Sequence, residues 1–411
     1  MFTRLRIQNW RQFERVSIDF HPRLTVLTGA NGSGKTTLLH LLNRHWGWDL
    51  DYVSGLKTDD SGVQKFWAGF WGDNGHAAPA ANGKYISIGE ITYENGQSGI
   101  LGISPDVKEV FKVTMPGRQI VPGVYVPSHR SPYCFQKLTS LPIKLDAREE
   151  LFRVYLDEVM TRYIGNQSSA STPGLHIKRS LLSLAMFGYG NQAVERNEEA
   201  VQTFEGFQSI LRTMLPESLG FTGFRIRVPE LYLLTTSGEI AFEAVSGGVA
   251  SIIDMVWQVH MYSRIHERFV VVIDEPEAHL HPALQQRLLP DFLKAFPKAQ
   301  FVIATHSPFM VTSVADSNVF VLRYNESNQV ESELLDTMNK AGTADEILME
   351  VLGLPSTLPH WAKSRIESIL DTFSKTPITS DSVAALRTEL SEIGMGQFFP
   401  EVLAKVAEGQ R

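Results

Sequence analysis

Three things are scarce in this chain. A single cysteine, Cys134, stands in 411 residues. That excludes an internal disulfide framework and any four-cysteine zinc site, and it fits a reducing compartment. No run of about 18 apolar residues occurs, so no transmembrane helix is expected. The N-terminus opens directly on a strand pattern rather than a basic–apolar–small leader, and a cytoplasmic location is the expectation. Positive charge is not in surplus: Lys and Arg number 38 against 45 Asp and Glu, a net charge of −7. Broad, non-specific coating of nucleic acid is disfavoured by that balance, although a local basic groove is compatible with it.

What is present is an ordinary globular composition, 43 % hydrophobic and 20 % charged, able to bury a sizeable core. Within it, Gly29-Ala30-Asn31-Gly32-Ser33-Gly34-Lys35-Thr36 is a complete phosphate-binding loop, G-x-x-x-x-G-K-[ST]. The largely apolar run Leu24–Leu27 leads in and a helix-like stretch from Thr37 to Leu42 follows, which is the strand–loop–helix context the motif needs. Glycines let backbone N–H groups close around phosphate oxygens, and a helix N-terminus adds a favourable dipole. Lys35 is placed to reach the β- and γ-phosphates of ATP, and the Thr36 hydroxyl to ligate Mg²⁺.

Three later segments carry chemistry. Phe269–Ile273 is a buried-strand run that ends in Asp274-Glu275. A parallel strand delivers both carboxylates to its C-terminal edge, where α/β sheets bind ligands. Asp274 is the candidate Mg²⁺ ligand and Glu275 the candidate base for an attacking water. Alone, the pattern also fits a core strand followed by a solvated acidic turn. Ser246-Gly247-Gly248 opens a helix and offers a second anion-binding end, or simply a serine cap. His306 follows the strand Phe301–Ala304, where a histidine can contact a γ-phosphate or serve structure alone.

Periodicity divides the rest. Three short strands fill Met1–Leu27, and Trp46–Ala81 reads as an irregular surface region. Tyr85–Thr92, Gly99–Ile103, Val110–Thr114 and Val124–Val126 read as strands. Asp146–Leu215 changes to helical spacing, with Asn166–Gly174 as a loop and helices over Ile177–Phe187 and Gln192–Met214. A hairpin is expected at Tyr232–Thr236 and Ile240–Ala244, around Ser237-Gly238. Helices follow over Ala283–Ala295, Trp361–Phe373, Val383–Ile393 and Phe399–Ala407. No long heptad tract is present, so no coiled-coil arm is expected. The expected organisation is an N-terminal lobe (1–145), a helical lid subdomain (146–215), a core segment (216–354) and a helical tail for docking or oligomerisation (355–411).

In this order the motifs resemble those of the ATP-binding-cassette ATPases, and within them the SMC/RecF group. Lys35 and Thr36 match Walker A, Ser246-Gly247-Gly248 the signature motif, Asp274-Glu275 Walker B, and His306 the switch histidine. Ile7-Gln8-Asn9-Trp10-Arg11-Gln12-Phe13 resembles that group's N-terminal opening, whose arginine, here Arg11, implies a place near the nucleotide. Asp274-Glu275-Pro276-Glu277-Ala278-His279-Leu280-His281-Pro282 and Thr305-His306-Ser307-Pro308 look like the bacterial anti-phage ATPases of the OLD, Septu and PARIS type. Pro127-Ser128-His129-Arg130 adds to that likeness.

The resemblance implies an α/β fold: a P-loop ATPase head with an antiparallel β subdomain, an inserted helical lid and a C-terminal helical tail. It implies ATP and Mg²⁺, with Gly29, Asn31, Gly32, Ser33, Gly34, Lys35, Thr36 and Thr37 around the nucleotide and Glu275 and His306 catalytic. One motif set per chain implies a homodimer sandwiching two ATPs, each facing a partner's Ser246-Gly247-Gly248. Val249 and His281 depart from the cassette pattern at positions tied to communication between subunits. No glutamine has an unambiguous Q-loop spacing; Gln119 and Gln136 are the candidates. The functional expectation is a sensor or scaffold ATPase controlling a separate nuclease or toxin. The alternative is a RecF-like repair ATPase binding DNA ends or gaps. A transporter engine fits worst, because roughly 210 residues separate Lys35 from Ser246 and no membrane span is present.

Overall fold

The computed structural model describes residues 1–58, 61–69, 84–130, 132–164, 171–336, 342–354, 356, 358–375, 377–392 and 394–409. Three six-residue strands buried along their whole length set its centre: β3 (Leu24–Gly29), β15 (Phe269–Asp274) and β16 (Ala299–Ala304). Strands buried along their whole length are covered on both faces, the condition of a parallel sheet with helices on each side. Accordingly β11 (Gly123–Val126), β15, β16, β3 and β17 (Asn318–Tyr324) run parallel, in that spatial order.

Beyond β17 the sheet continues through β18 (Val330–Leu334), β2 (Phe13–Asp19), β1 (Phe2–Trp10), β7 (Ile86–Tyr93), β8 (Ser98–Ile103) and β10 (Val113–Thr114), making eleven strands among the described residues. In this wing only β18 and β2 pair in parallel; the other neighbours are antiparallel. Its strands bury one face: Phe2, Leu5, Ile7 and Trp10 of β1 are buried while most of their neighbours meet solvent. Trp10 pairs with Phe13, so β1 and β2 are joined by a two-residue turn, Arg11-Gln12.

Several elements differ from the sequence expectation. Val110–Thr114 is not one strand. It breaks at Lys112 into β9 (Val110–Phe111), paired with β4 (Tyr52–Val53), and β10, paired with β8. The region expected to be irregular holds β4 and a hairpin of β5 (Gly55–Thr58) and β6 (Gln64–Trp67); its residues 59–60 and 70–81 lie outside the described residues. The hairpin of β13 (Glu230–Thr235) and β14 (Gly238–Ala241) gains a third strand, β12 (Gly223–Arg227). β17 and β18 were not among the expected strands.

Helix α1 (Lys35–Asn43) leaves the phosphate-binding loop. The helical region contains α2 (Arg148–Ile164), α3 (Pro173–Gly188) and α4 (Glu198–Met214). Residues 166–170 of the expected loop lie outside the described residues. Thr172 caps α3 by accepting from Leu175 N. α4 begins six residues later than the apolar spacing suggests. Asn191 Oδ1 accepts from the Ala193 and Val194 amides, which holds a turn, and Asn197 then caps the helix at Ala200 N. α5 (Gly247–Ser263) is buried on every face from Val249 to Met261, which makes it the central helix of the layer against the sheet. α6 (Pro282–Ala295) links β15 to β16, and the short α7 (Pro308–Val311) follows β16.

The chain divides into two compact units, Met1–Gly353 and Leu354–Arg411. The second holds α8 (His360–Ser374), α9 (Ser380–Glu392) and α10 (Phe399–Gly409). Their apolar stripes meet each other: Ala362, Ile369, Leu386, Leu390, Met395 and Val402 form one buried cluster, flanked by Ile366, Leu370, Phe373 and Phe399. Those stripes therefore pack on one another within the tail. Pro355 and Ile393, named in the tail pattern, lie outside the described residues. Among the described residues no helix is long and apolar enough to cross a membrane.

Candidate nucleotide site

Sheet register gathers the motifs. Leu27 of β3 pairs with Ala304 of β16, and Ala304 pairs with Asp274 of β15. The phosphate-binding loop, the acidic pair and Thr305-His306 therefore leave the sheet at the same C-terminal edge. Residues separated by more than 200 positions meet there: Thr36 Oγ1 donates to Asp274 Oδ2 at 2.9 Å.

Backbone demands explain the loop glycines. Gly29 has φ 139°, and a Cβ there would lie 2.4 Å from the Leu322 carbonyl oxygen. Gly34 has φ 94°, and its Cβ would overlap the Phe13 ring at 2.4 Å. Both positions thus combine a left-handed backbone with a close approach, which only glycine tolerates. Asn31 and Gly32 are exposed, Thr37 is half-buried, and Ser33 is buried with an Oγ that has no hydrogen-bond partner. Lys35 is 6 % exposed, and its Nζ donates to the carbonyls of Gly29 at 2.9 Å and Ala30 at 3.0 Å. Burial lowers the Lys35 pKa to about 8, against the opposing charges of Asp274, Glu275 and Glu277.

Asp274 is 1 % exposed, and burial raises its pKa to about 6 even though the Thr36 hydrogen bond favours the anion. Its Oδ1 has no partner. A buried carboxylate with one free oxygen beside a fixed hydroxyl is a hard oxygen donor pair, which suits Mg²⁺ completed by substrate phosphates and water. The residues present therefore fit that ion.

Glu275 has φ 46°, an uncommon left-handed conformation for a side chain of this size. Its amide donates to Ala304 O at 2.9 Å. His306 is half-buried, and its pKa is lowered by burial and by the Lys35 charge. Its amide donates to Glu277 Oε1 at 2.6 Å. Glu277, whose carboxyl pKa burial raises, is thus the physical link between the acidic loop and the histidine segment. No role for Glu277 was legible beforehand.

The N-terminal turn approaches the loop, but not through Arg11. Gln12 Nε2 lies 3.5 Å from Gly32 O and Phe13 packs beneath Gly34, whereas the Arg11 guanidinium lies 5.5 Å from the centre of the Tyr52 ring. Neither glutamine considered for a Q-loop is at the acidic edge. Gln119 donates to Gly117 O, and Gln136 accepts from Thr172 Oγ1. The strand beside β15 is β11, and it leads into Pro127-Ser128-His129-Arg130. Arg130 Nη2 donates to Glu275 O at 2.9 Å.

Ser246 and Gly247 are exposed at the start of α5. Ser246 Oγ accepts from Val249 N at 3.5 Å, so the cap reading is realised in this chain, weakly. Gly248 faces the acidic loop: a Cβ there would sit 2.7 Å from His279 O. Its lack of a side chain is thereby explained by packing, while the exposed Ser246-Gly247 corner stays open to solvent.

Comparison with known proteins follows the same two-part division of motifs. Residues 4–49 match the family described as "AAA domain", and residues 234–312 the one described as "AAA domain, putative AbiEii toxin, Type IV TA system". The chain is similar to "Septu protein PtuA" of Bacillus thuringiensis, at 22 % identity over 86 % of this chain and 84 % of that protein. It is also similar to "Retron Ec83 probable ATPase" of Escherichia coli, at 39 % identity over 13 % of this chain and 10 % of that protein. Among solved structures, the SMC head domain from Thermotoga maritima superposes with a TM-score of 0.45 at 13 % identity, over 82 % of this chain and 99 % of that one. The chain thus carries two stretches of AAA-domain sequence and is similar to a Septu protein along most of its length and to a retron probable ATPase over a short segment.

Proposed function

We propose that this protein binds and hydrolyses ATP with Mg²⁺ and uses the nucleotide state to control a separate nuclease or toxin in anti-phage defence. The observation that carries the reading is the Thr36–Asp274 hydrogen bond, which closes Walker A onto Walker B across the sheet edge. Likeness to a Septu protein along most of both chains supports the defence setting.

The roles follow from placement. Loop amides from Gly29 to Thr37 cradle the phosphates, and Lys35 leaves its two carbonyl partners to meet them. Thr36 and Asp274 hold Mg²⁺, which when bound neutralises charge on the phosphate oxygens. Glu275 orients and deprotonates the attacking water, and His306 contacts the γ-phosphate. Catalysis is then positioning plus charge stabilisation, with no covalent intermediate. The exposed Ser246-Gly247 corner serves the ATP of a second copy in a C₂ dimer, because each chain carries one motif set.

Purified Glu275→Gln protein should bind ATP normally and lose turnover by about 10²–10⁴-fold, the range for loss of a general base. Unchanged turnover removes Glu275 from that role. A RecF-like reading instead requires the protein alone to bind duplex ends with a steep salt dependence, which a titration at several salt concentrations decides.

A further inference from the structure

Arg130 spends its guanidinium in three directions. Nε donates to Ser251 Oγ of α5 at 2.7 Å. Nη1 donates to Pro127 O at 3.1 Å and lies 3.5 Å from Asp274 O. Nη2 donates to Glu275 O at 2.9 Å. Burial lowers the guanidinium pKa, and the carboxylates of Asp254, Glu277 and Asp274 offset that cost. Asp254 is itself fixed, accepting from Tyr155 Oη at 2.5 Å and from Gln258 Nε2 at 3.1 Å.

The residue gripped this way has an unfavourable backbone, being one of five non-glycine residues with positive φ among the described residues. A left-handed conformation is unfavourable for a non-glycine residue and persists only where its surroundings over-determine it. At Glu275 the surroundings can be named: the amide is held by Ala304 O, and the carbonyl by Arg130 and Ala278 N. Of these, Arg130 alone contributes a side chain. It also reaches the helix that starts at Ser246.

We infer that Arg130 is a positioning residue, which holds the Glu275 peptide in its left-handed conformation and so aims the Glu275 carboxylate, while tying that peptide to α5. The inference rests on the reading of Glu275 as the water-activating carboxylate. Lysine cannot replace Arg130, since one ammonium cannot span Ser251 Oγ and the Glu275 carbonyl with planar, fixed geometry.

The test uses full-length Arg130→Ala and Arg130→Lys proteins. Amide hydrogen exchange in the Glu275–Leu280 segment should rise at least about tenfold in both, with Phe269–Ile273 unchanged, since only the loop loses a tether. Turnover should fall about 10–100-fold, with ATP affinity within about threefold of the parent, as expected of misaim rather than lost binding. Millimolar guanidinium should restore part of the turnover in Arg130→Ala and none in Arg130→Lys. Unchanged exchange in the loop overturns the inference, as does turnover within about threefold of the parent. If Arg130→Ala fails to fold, Arg130→Lys carries the same decision. If Glu275→Gln keeps its turnover, the proposed catalytic role fails, and the exchange result alone then decides whether Arg130 holds the loop.

Discussion

Lys178 offers the sharpest test of how the head is held together. It lies on α3 with no solvent exposure, and its Nζ donates to Glu230 Oε2 at 2.5 Å and Glu243 Oε1 at 2.6 Å. The Phe135 ring centre lies 5.8 Å from the same ammonium. The Glu243 side chain is 8 % exposed and that of Glu230 28 %, so Glu230 can turn to water and Glu243 cannot. Lys178→Met therefore strands one buried carboxylate. Breaking a buried pair from one side costs about 3–5 kcal/mol. In a chain of this length that corresponds to a fall in melting temperature of about 3–6 °C. Adding Glu243→Leu to Lys178→Met should return most of the loss, because a buried pair replaced whole by apolar groups is often neutral. The pH behaviour is fixed by sign. Burial works against the Lys178 charge, but its two carboxylates outweigh it and the pKa is raised. A raised ammonium pKa contributes stability that is fully present below the unfolded value of 10.5 and is lost as pH rises through the folded value. The Lys178→Met penalty should thus be flat from about pH 7 to 9 and shrink only in stronger base. Urea unfolding of the three proteins at those pH values measures it. A penalty under about 1 kcal/mol, the value of an exposed pair, refutes the reasoning.

Two further outcomes are expected. Ser246→Arg should leave Lys35-dependent ATP binding intact and block ATP-driven dimerisation, read by light scattering in the Glu275→Gln background; a dimer that still closes sinks the sandwich. Removal of residues 354–411 should leave ATP turnover within about threefold of the intact chain, because that unit has its own core; a catalytically dead or insoluble remainder shows that the head needs the tail.

The legible parts of this protein are those written in local pattern. Short β-branched runs such as Phe269–Ile273 suit a fully buried strand, and a complete Gly29–Thr36 loop has little other use. The break at Lys112 was not legible, since Val110–Thr114 has uniform strand character and only its partners, Tyr52 on one side and Ile103 on the other, divide it. The α4 start was masked because a helical apolar spacing continues back through a turn that Asn191 side-chain bonds impose. Ser246-Gly247-Gly248 fits an anion-binding end or a serine cap by pattern, whereas the packing of Gly248 against His279 O involves a backbone atom that no residue type announces.

Arg130 and Glu277 belong to that last class. Arg130 binds the carbonyls of Asp274 and Glu275, and Glu277 binds the amide of His306. Every residue offers a carbonyl and nearly every one an amide, so nothing in the sequence marks the recipient. Yet these bonds, with the Gly248 contact, converge on the six residues from Asp274 to His279. One short loop thereby touches the histidine segment, the turn after β11 and the first turn of α5. Each tether ends on backbone, so a shift of the loop moves all three together, and close-packed interiors do not deform piecemeal. Under the proposed function ATP and its ion act on Lys35 and Asp274, and this loop lies between Asp274 and the α5 corner. A substitution that frees one tether should then weaken the response of the corner to ATP more than it weakens ATP binding.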